Sequence, residues 1–187
     1  MQHPLPSRSA RALSTLFAGG TVLLPTANLW QLVAAVDHPP ALQLLLTTCA
    51  TDRHPPELIF PDLETLFDWC PRIHPKLHTL LAYHRRPLTV RVPAGPEVPL
   101  RLIDQRGEVA ARLAHDSFVY RLCEDLEAPL VAALALARGS EDYPVSFGKV
   151  RSDVLRAAEF TVQRRQREVL GDGPVPVVRM EGGELVF

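Results

Sequence analysis

Between residues 19 and 26 a glycine pair leads into a short apolar run that stops at a proline and a threonine, in the order GGTVLLPT. An aliphatic run bounded by glycine and proline is typical of a buried β-strand. In open α/β sheets, ligands bind in the crevice outside the carboxyl ends of the strands. The segment therefore predicts a strand ending at Pro25, with the hydroxyl of Thr26 facing a crevice. An ordinary buried strand that happens to end in Pro-Thr fits the same residues.

Helical and strand patterns interleave irregularly along the rest of the chain. Hydrophobic spacing and capping residues predict helices over residues 9–18, 29–36, 41–46, 62–69, 75–83, 116–126 and 150–160. Strands are predicted over 57–60, 88–92, 100–103, 109–113, 175–180 and 184–187, with Gly107 offering a turn. The wholly apolar run 129–136 should be a central strand or enter the core. We expect one α/β domain over residues 1–187, a twisted mixed sheet with flanking helices, and residues 1–10 as a candidate flexible segment.

Composition excludes several classes of function. Twenty Lys+Arg residues against 21 Asp+Glu give a formal net charge of −1, so nothing attracts the chain globally to nucleic acid. Three cysteines far apart in the sequence, without a secretory signal, indicate a reducing compartment, the cytoplasm. No apolar run approaches the ~20 residues of a membrane span.

A metal site is not predicted. His74 and His78 stand four residues apart and could share a helix face, but the sequence offers no evident third ligand. The chain also lacks a phosphate-binding Walker loop, a GxGxxG motif and a nucleophile elbow.

A series of segments resembles the YrdC-like family. Residues 25–32 (PTANLWQL) stand where the family has Pro-Thr-(Asp/Glu)-Thr-Val-Tyr-Gly-Leu. Residues 85–89 (RRPLT) are similar to Pro-Gly-Pro-Leu-Thr, residues 109–114 (VAARLA) to Val-Gly-Val-Arg-Val-Pro, and residues 128–132 (APLVA) to Gly-Pro-Leu-Val-Ala. The tail from residue 173 onwards is similar to the family's last strands. The segments occur in the family's order from about Arg11 to Phe187.

This resemblance implies a YrdC-like domain whose twisted sheet surrounds a central concavity. Characterised family members make threonylcarbamoyl-AMP from ATP, threonine and bicarbonate for tRNA modification, and the family is associated with RNA binding. The resemblance places Thr26 and Arg112 at positions that bind the amino acid. It also makes Arg53 a candidate for one of two cations that hold the triphosphate.

The departures from the family fall where the nucleotide should bind. The family's Lys-x-Arg pair is replaced by residues 50–58 (ATDRHPPEL), which contain no lysine, and Asp52 and Glu57 would repel a phosphate. The family's Thr-Ser-Ala-Asn motif becomes residues 133–136 (ALAL), so hydrocarbon replaces two hydrogen-bonding side chains. We expect Leu134 and Leu136 to be buried and to fill the nucleotide's place.

Two functions follow as hypotheses. The favoured one is a diverged YrdC-like protein without threonylcarbamoyl-AMP synthase activity, which retains the fold to bind a small carboxylate, RNA or a protein partner. The alternative is an active synthase that uses ATP and magnesium. A basic patch around Arg164, Arg165 and Arg167 is the candidate RNA contact, although such a run is also typical of a solvated face.

Overall fold

The computed structural model describes residues 7–187, and in it nine strands alternate with six helices. The helices are α1 Arg8–Phe17, α2 Pro39–Thr48, α3 Leu63–Trp69, α4 Pro75–Tyr83, α5 Ser117–Leu126 and α6 Ser152–Ala157. The strands are β1 Val22–Pro25, β2 Trp30–Ala35, β3 Glu57–Phe60, β4 Thr89–Pro93, β5 Glu108–Leu113, β6 Leu130–Leu134, β7 Phe160–Thr161, β8 Val177–Glu181 and β9 Glu184–Val186. Of the candidate flexible segment 1–10, residues 1–6 lie outside the described residues, and the helix already begins at Arg8.

The strands form one mixed sheet in the order β7-β1-β2-β6-β3-β5-β4-β8-β9. Three neighbouring pairs are parallel, namely β1 with β7, β3 with β5, and β4 with β8. The other five pairs are antiparallel. The predicted α/β class and mixed sheet are thus confirmed, and the apolar run 129–136 supplies a central strand.

Helices cover the two faces of the sheet unequally. On one face the larger core packs side chains of α2, α3, α4 and α6 against strands β1 to β6 and β8. On the other face α1 and α5 pack over β1, β2, β3 and β6 through Leu16, Val119 and Leu122. Beyond these two helices the second face has no helical cover among the described residues, and this is where a cavity opens.

The helix predicted over residues 29–36 is wrong, because these residues form β2. Every residue of β2 is buried, since the strand lies between β1 and β6 with side chains packed on both faces. A strand buried on both sides reads as a continuous apolar run and loses the alternation that identifies half-buried strands.

Two further predictions need correction. Residues 100–102 form a single 3₁₀ turn after Pro99 instead of a strand, with Leu100 largely in solvent and only Leu102 buried. The helix predicted over 150–160 is confined to α6, because the chain becomes extended at Ala158 and pairs Phe160 with Val22 of β1. Asp62 caps α3 and Asp116 caps α5, at the starts of the helices predicted over 62–69 and 116–126. None of the described helices has the length and apolar character needed to cross a membrane.

Candidate functional site

A cavity of about 360 Å³ opens on the incompletely covered face of the sheet. Side chains alternate between the two faces of a strand, and seven neighbouring strands contribute residues from one face to its wall. The strand residues in its wall are Gln31, Glu57, Thr89, Arg91, Ala110, Arg112, Ala132, Leu134, Val177, Arg179 and Val186. Loops close the cavity with Asn28, Arg53, His54, Pro174 and Phe187, among others. The concavity that the family resemblance implies is therefore present.

A buried polar network forms the floor of this cavity. The carboxylate of Glu57 accepts a hydrogen bond from Gln31 Nε2 at 2.8 Å and another from the hydroxyl of Thr89 at 2.7 Å. Arg112 donates from Nη2 to Gln31 Oε1, and its Nε lies 3.0 Å from Glu57 Oε1. Four side chains from β2, β3, β4 and β5 thus hold one another in fixed positions, as buried polar groups require.

Arg112 has hydrogen-bond donors that this network does not use. It is only 3% exposed, and its Nε–H, although close to Glu57, is not aligned for a hydrogen bond and has no other partner. Nη1 donates to none of the described residues. A guanidinium carries five N–H donors in a planar fork, so Arg112 can still donate to an anion that enters the cavity.

Three more arginines line the cavity, each beside an acidic residue. Arg53 donates to the backbone oxygen of Ser140 and lies 3.8 Å from Glu141. Arg91 bonds to Asp104, and Arg179 Nη2 lies 2.7 Å from Glu181 Oε1. The wall of the cavity itself contains four arginines and a single glutamate, so its charge favours anions.

Asp104 is held as a carboxylate beside Arg91. Burial raises its pKa, but hydrogen bonds from the backbone N–H groups of Glu108 and Arg106, together with the Arg91 guanidinium, outweigh burial. The pKa of Asp104 therefore lies below its ordinary value. The ion pair with Arg91 persists over the whole neutral range.

His54 stands in the cavity wall as a neutral imidazole at pH 7. Burial and the neighbouring Arg53 guanidinium lower its pKa from 6.5, and Asp52 opposes them only in part. Its ring meets that of Tyr143 edge to face, with the centroids 5.4 Å apart. A neutral ring can both donate and accept one hydrogen bond with a ligand.

The segment between β7 and β8, residues 162–176, crosses the mouth of the cavity. Asn28 Nδ2 donates to Gly173 O at 2.6 Å, and Arg165 Nη1 donates to Thr26 O at 3.2 Å. These bonds fasten the crossing segment to the loop between β1 and β2. They bring Pro174 and Val175 into the cavity wall.

The structure brings Arg53 and Arg112 to the same cavity but does not bring Thr26 to it. Thr26 is 2% exposed, and its hydroxyl donates to Leu29 O at 2.9 Å, within its own turn. The cavity wall begins two residues later, at Asn28. The hydroxyl that the sequence places in the crevice instead stabilises the turn that leads into β2.

The arginines of the predicted basic patch are mostly engaged with carboxylates. Both oxygens of Asp116 accept hydrogen bonds from Arg164 Nη1, at 2.7 and 2.8 Å. Arg165 bonds to Glu168 at 2.7 Å and lies 4.0 Å from Asp116. Arg167 is exposed. The charge available to a phosphate backbone is therefore much smaller than the sequence suggests.

The expected burial of the two leucines is right for one and wrong for the other. Leu136 is buried at 2% exposure, but Leu134, at the end of β6, is partly exposed and lines the open cavity. The reason is the alternation along β6, which points Leu134 towards the same face as Ala132. The cavity is thus open beside Leu134.

The cysteines and histidines form no reactive centre within the described part of the chain. All three thiols are buried and free, and burial raises the pKa of Cys49 and of Cys123 to about 12. A thiol with such a pKa stays protonated and is a poor nucleophile. No cluster of three or more metal-ligating side chains occurs in residues 7–187.

Sequence reasoning missed the partners of Arg112. Glu57, Gln31 and Thr89 all sit at positions that point to the cavity, yet only Glu57 drew notice, as a residue that would repel phosphate. A usable signal existed, because a carboxylate opening an apolar strand must be paired if it is buried.

The fold and the cavity together define an α/β domain with an arginine-rich cavity on one face of a mixed sheet. The chain belongs to the Sua5/YciO/YrdC family: the family's sequence model, described as "Telomere recombination", matches residues 14–185. This confirms the family resemblance drawn from the sequence. Comparison with curated proteins finds no significant match.

Several solved structures share the fold. Escherichia coli YciO superposes with a TM-score of 0.82 at 19% identity, over 97% of this chain and 89% of that chain. P. abyssi Sua5 complexed with L-threonine superposes with a TM-score of 0.73 at 20% identity, over 95% of this chain and 52% of that chain. Full-length HypF in a phosphate- and nucleotide-bound form superposes with a TM-score of 0.73 at 15% identity, over 98% of this chain and 28% of that chain. The chain thus spans about half of that Sua5 chain, and at these identities the likeness concerns the fold alone.

Proposed function

We propose that this protein is a diverged member of its family that binds a small carboxylate ligand in the cavity and does not make threonylcarbamoyl-AMP. One observation carries the proposal. Arg112 is a buried guanidinium in the cavity wall with donors to spare. A guanidinium fork matches the two oxygens of a carboxylate, and charge-assisted bonds of this kind are the strong ones.

The polar floor of the cavity suits a small ligand whose carboxylate approaches Arg112 while its other groups lie over Ala110 and Ala132. Glu57 leaves room for a donor on the same ligand, because a carboxylate accepts more hydrogen bonds than the two it receives from Gln31 and Thr89. A P. abyssi Sua5 structure was solved in complex with L-threonine. Threonine is for this reason the first ligand to test, with Arg112 and not Thr26 as the proposed contact.

The groups that ATP needs for binding are the reason to propose that the protein lacks synthase activity. A triphosphate needs free cations, but Arg53 is engaged with Ser140 and stands near Glu141. Glu57 places a negative charge in the floor of the cavity, and Leu134 contributes hydrocarbon where the family has a hydrogen-bonding side chain. Each hydrogen bond that a nucleotide leaves unmade costs about 1–3 kcal/mol, so the affinity falls by orders of magnitude.

The proposal is tested by thermal unfolding with L-threonine and other small carboxylates. The melting temperature should rise with ligand concentration. The variant for comparison is the double substitution Glu57→Gln and Arg112→Gln, which removes both charges together and avoids leaving one buried and unpaired. That variant should fold and lose the shift. An equal shift in wild type and in the double variant would contradict the proposal.

The alternative is an active threonylcarbamoyl-AMP synthase that uses ATP and magnesium. Two observations favour it: the cavity is open beside Leu134, and four arginines line it. Arg53 and Arg91 would then hold the phosphates. Incubation with ATP, threonine, bicarbonate and magnesium, followed by mass spectrometry, separates the two functions, because only the synthase forms threonylcarbamoyl-AMP and pyrophosphate.

Other partners are weaker proposals. An RNA contact through Arg164, Arg165 and Arg167 is opposed by the carboxylates of Asp116 and Glu168. No surface within residues 7–187 argues for a protein partner. A reducing compartment, the cytoplasm, is proposed because the three cysteines are buried as free thiols.

A further inference from the structure

Two of the cavity arginines stand side by side on neighbouring strands. In the parallel pair β4–β8, Thr89 is opposite Val177 and Val90 is opposite Val178. The next residues in this register are Arg91 and Arg179. Both line the cavity, so both side chains point to the same face of the sheet.

Like charges at directly opposite positions destabilise a sheet unless something neutralises them. Here the neutralisation is partial. Arg91 bonds to Asp104 and Arg179 lies beside Glu181, but Glu181 is shared with Arg106. The Arg179 and Glu181 side chains are each 40% exposed, and exposed ion pairs contribute little. An anion entering the cavity can therefore compete for this pair of guanidinium groups at small cost.

We propose that Arg91 and Arg179 form a second anion subsite, so that the ligand of this cavity carries two anionic groups, one on Arg112 and one on this arginine pair. The inference rests on the proposed function for its first contact. The second group is a carboxylate or a phosphate, since paired guanidinium groups bind both.

The geometry of the sheet sets the length of such a ligand. Arg91 is opposite Ala110 on β5, two residues from Arg112. With strands ~4.8 Å apart and residues rising ~3.3 Å, the Cα atoms of Arg91 and Arg112 lie roughly 8 Å apart, and those of Arg179 and Arg112 roughly 12 Å. Side chains converging over the cavity shorten the gap, so two anionic groups separated by two or three carbons fit.

Calorimetry with matched probes tests the inference. Butyrate carries one carboxylate, succinate and glutarate carry two, and 3-phosphonopropionate replaces one carboxylate of succinate by a phosphonate. The dianion that binds most tightly should bind at least about tenfold more tightly than butyrate, because it makes additional charge-assisted hydrogen bonds. If 3-phosphonopropionate binds most tightly, the second anionic group of the ligand is a phosphate. If succinate or glutarate binds most tightly, the second group is a carboxylate.

The variant that isolates the second subsite is Arg91→Gln with Arg179→Gln. It should abolish the advantage of the dianions and weaken butyrate binding far less, because butyrate has no second anionic group to place on this arginine pair. Arg106→Gln is the matched control, because Arg106 pairs with the same Glu181 but does not line the cavity. The control should keep the full advantage. Thermal unfolding of each variant checks that it is folded.

The outcomes separate this inference from the proposed function. Equal affinity for butyrate and the dianions, or an equal loss of both in the Arg91/Arg179 variant, overturns the second subsite while the Arg112 contact stands. A different result overturns both proposals. The dianions would then need Arg91 and Arg179 for binding but would still bind the Glu57→Gln, Arg112→Gln variant, so no anionic group would lie on Arg112. Failure of every probe to bind the wild type also overturns both.

Discussion

Glu57 and Arg112 form a buried ion pair on the neighbouring parallel strands β3 and β5, with Glu57 Oε1 3.0 Å from Arg112 Nε. The pair forms the floor of the cavity and fixes its chemistry. Arg112 can attract a carboxylate, while Glu57 limits how much negative charge can approach. The balance between these two side chains is the basis of the proposed selectivity for a small carboxylate over a nucleotide.

Removal of either charge should destabilise the fold. Glu57→Ala and Arg112→Ala should each lower the free energy of unfolding by about 3–5 kcal/mol, because each leaves a buried charge without its partner. The double substitution should cost clearly less than the sum. Urea unfolding of the four proteins measures this double-mutant cycle. Strictly additive costs would mean that the two side chains do not interact.

Glu57→Gln should strengthen carboxylate binding. The substitution keeps an acceptor for Thr89 but removes a negative charge beside the incoming carboxylate, so we expect about a tenfold tighter dissociation constant for butyrate, which has no donor group for Glu57 to hold. Thr89→Val is the matched control, since it removes a hydrogen bond to Glu57 without changing any charge. Weaker binding of butyrate by Glu57→Gln would show that Glu57 does not repel the ligand.

The titration of His54 reports on the charge of the cavity. Its folded-state pKa is lowered by burial first and by Arg53 second, so its NMR titration midpoint should lie below 6.5. Since the folded protein binds this proton less readily than the unfolded chain, the associated stability is full above pH 6.5 and declines as pH falls through the folded pKa. Arg53→Gln should raise the midpoint, as should an anionic ligand. A midpoint above 6.5 in the free wild type would contradict the described environment.

The two leucines of residues 133–136 should respond differently to substitution. Leu136→Asn should destabilise by about 2–5 kcal/mol, because it removes a buried side chain and buries an amide. Leu134→Ser should cost less, since Leu134 is already partly exposed to the cavity. Thermal or urea unfolding measures both. Neither variant nor their combination should hydrolyse ATP, and turnover by the double variant would show that the nucleotide site had been lost only at these two positions.

The strand-and-turn pattern of residues 19–26 could be predicted from the sequence because its signals are local. The misassignment of β2 has a physical cause, namely burial on both faces, which removes the alternation that marks a strand. The floor of the cavity could not be predicted, because it depends on long-range register. Only the parallel pairing of β3 with β5 brings Glu57 close to Arg112, and no local pattern encodes that pairing.

The same limit explains Thr26 and the basic patch. A short polar side chain at the end of a strand can face a crevice or bond within its own turn, and the position of Leu29 O decides in favour of the turn. From the sequence alone Arg164 has no evident partner, because Asp116, to which it donates hydrogen bonds, lies 48 residues earlier in the chain. Family membership, in contrast, could be recognised from the order of several weak segments along the chain.

Isothermal titration of the wild-type protein with L-threonine and, separately, with magnesium-ATP shows whether the cavity binds a small carboxylate or a nucleotide. We predict saturable heat of binding for threonine that disappears in the Glu57→Gln, Arg112→Gln double variant, and no saturable heat for ATP. Two results together would contradict this prediction and indicate a working synthase site: ATP binds saturably, and threonine binds equally to the wild type and to the double variant.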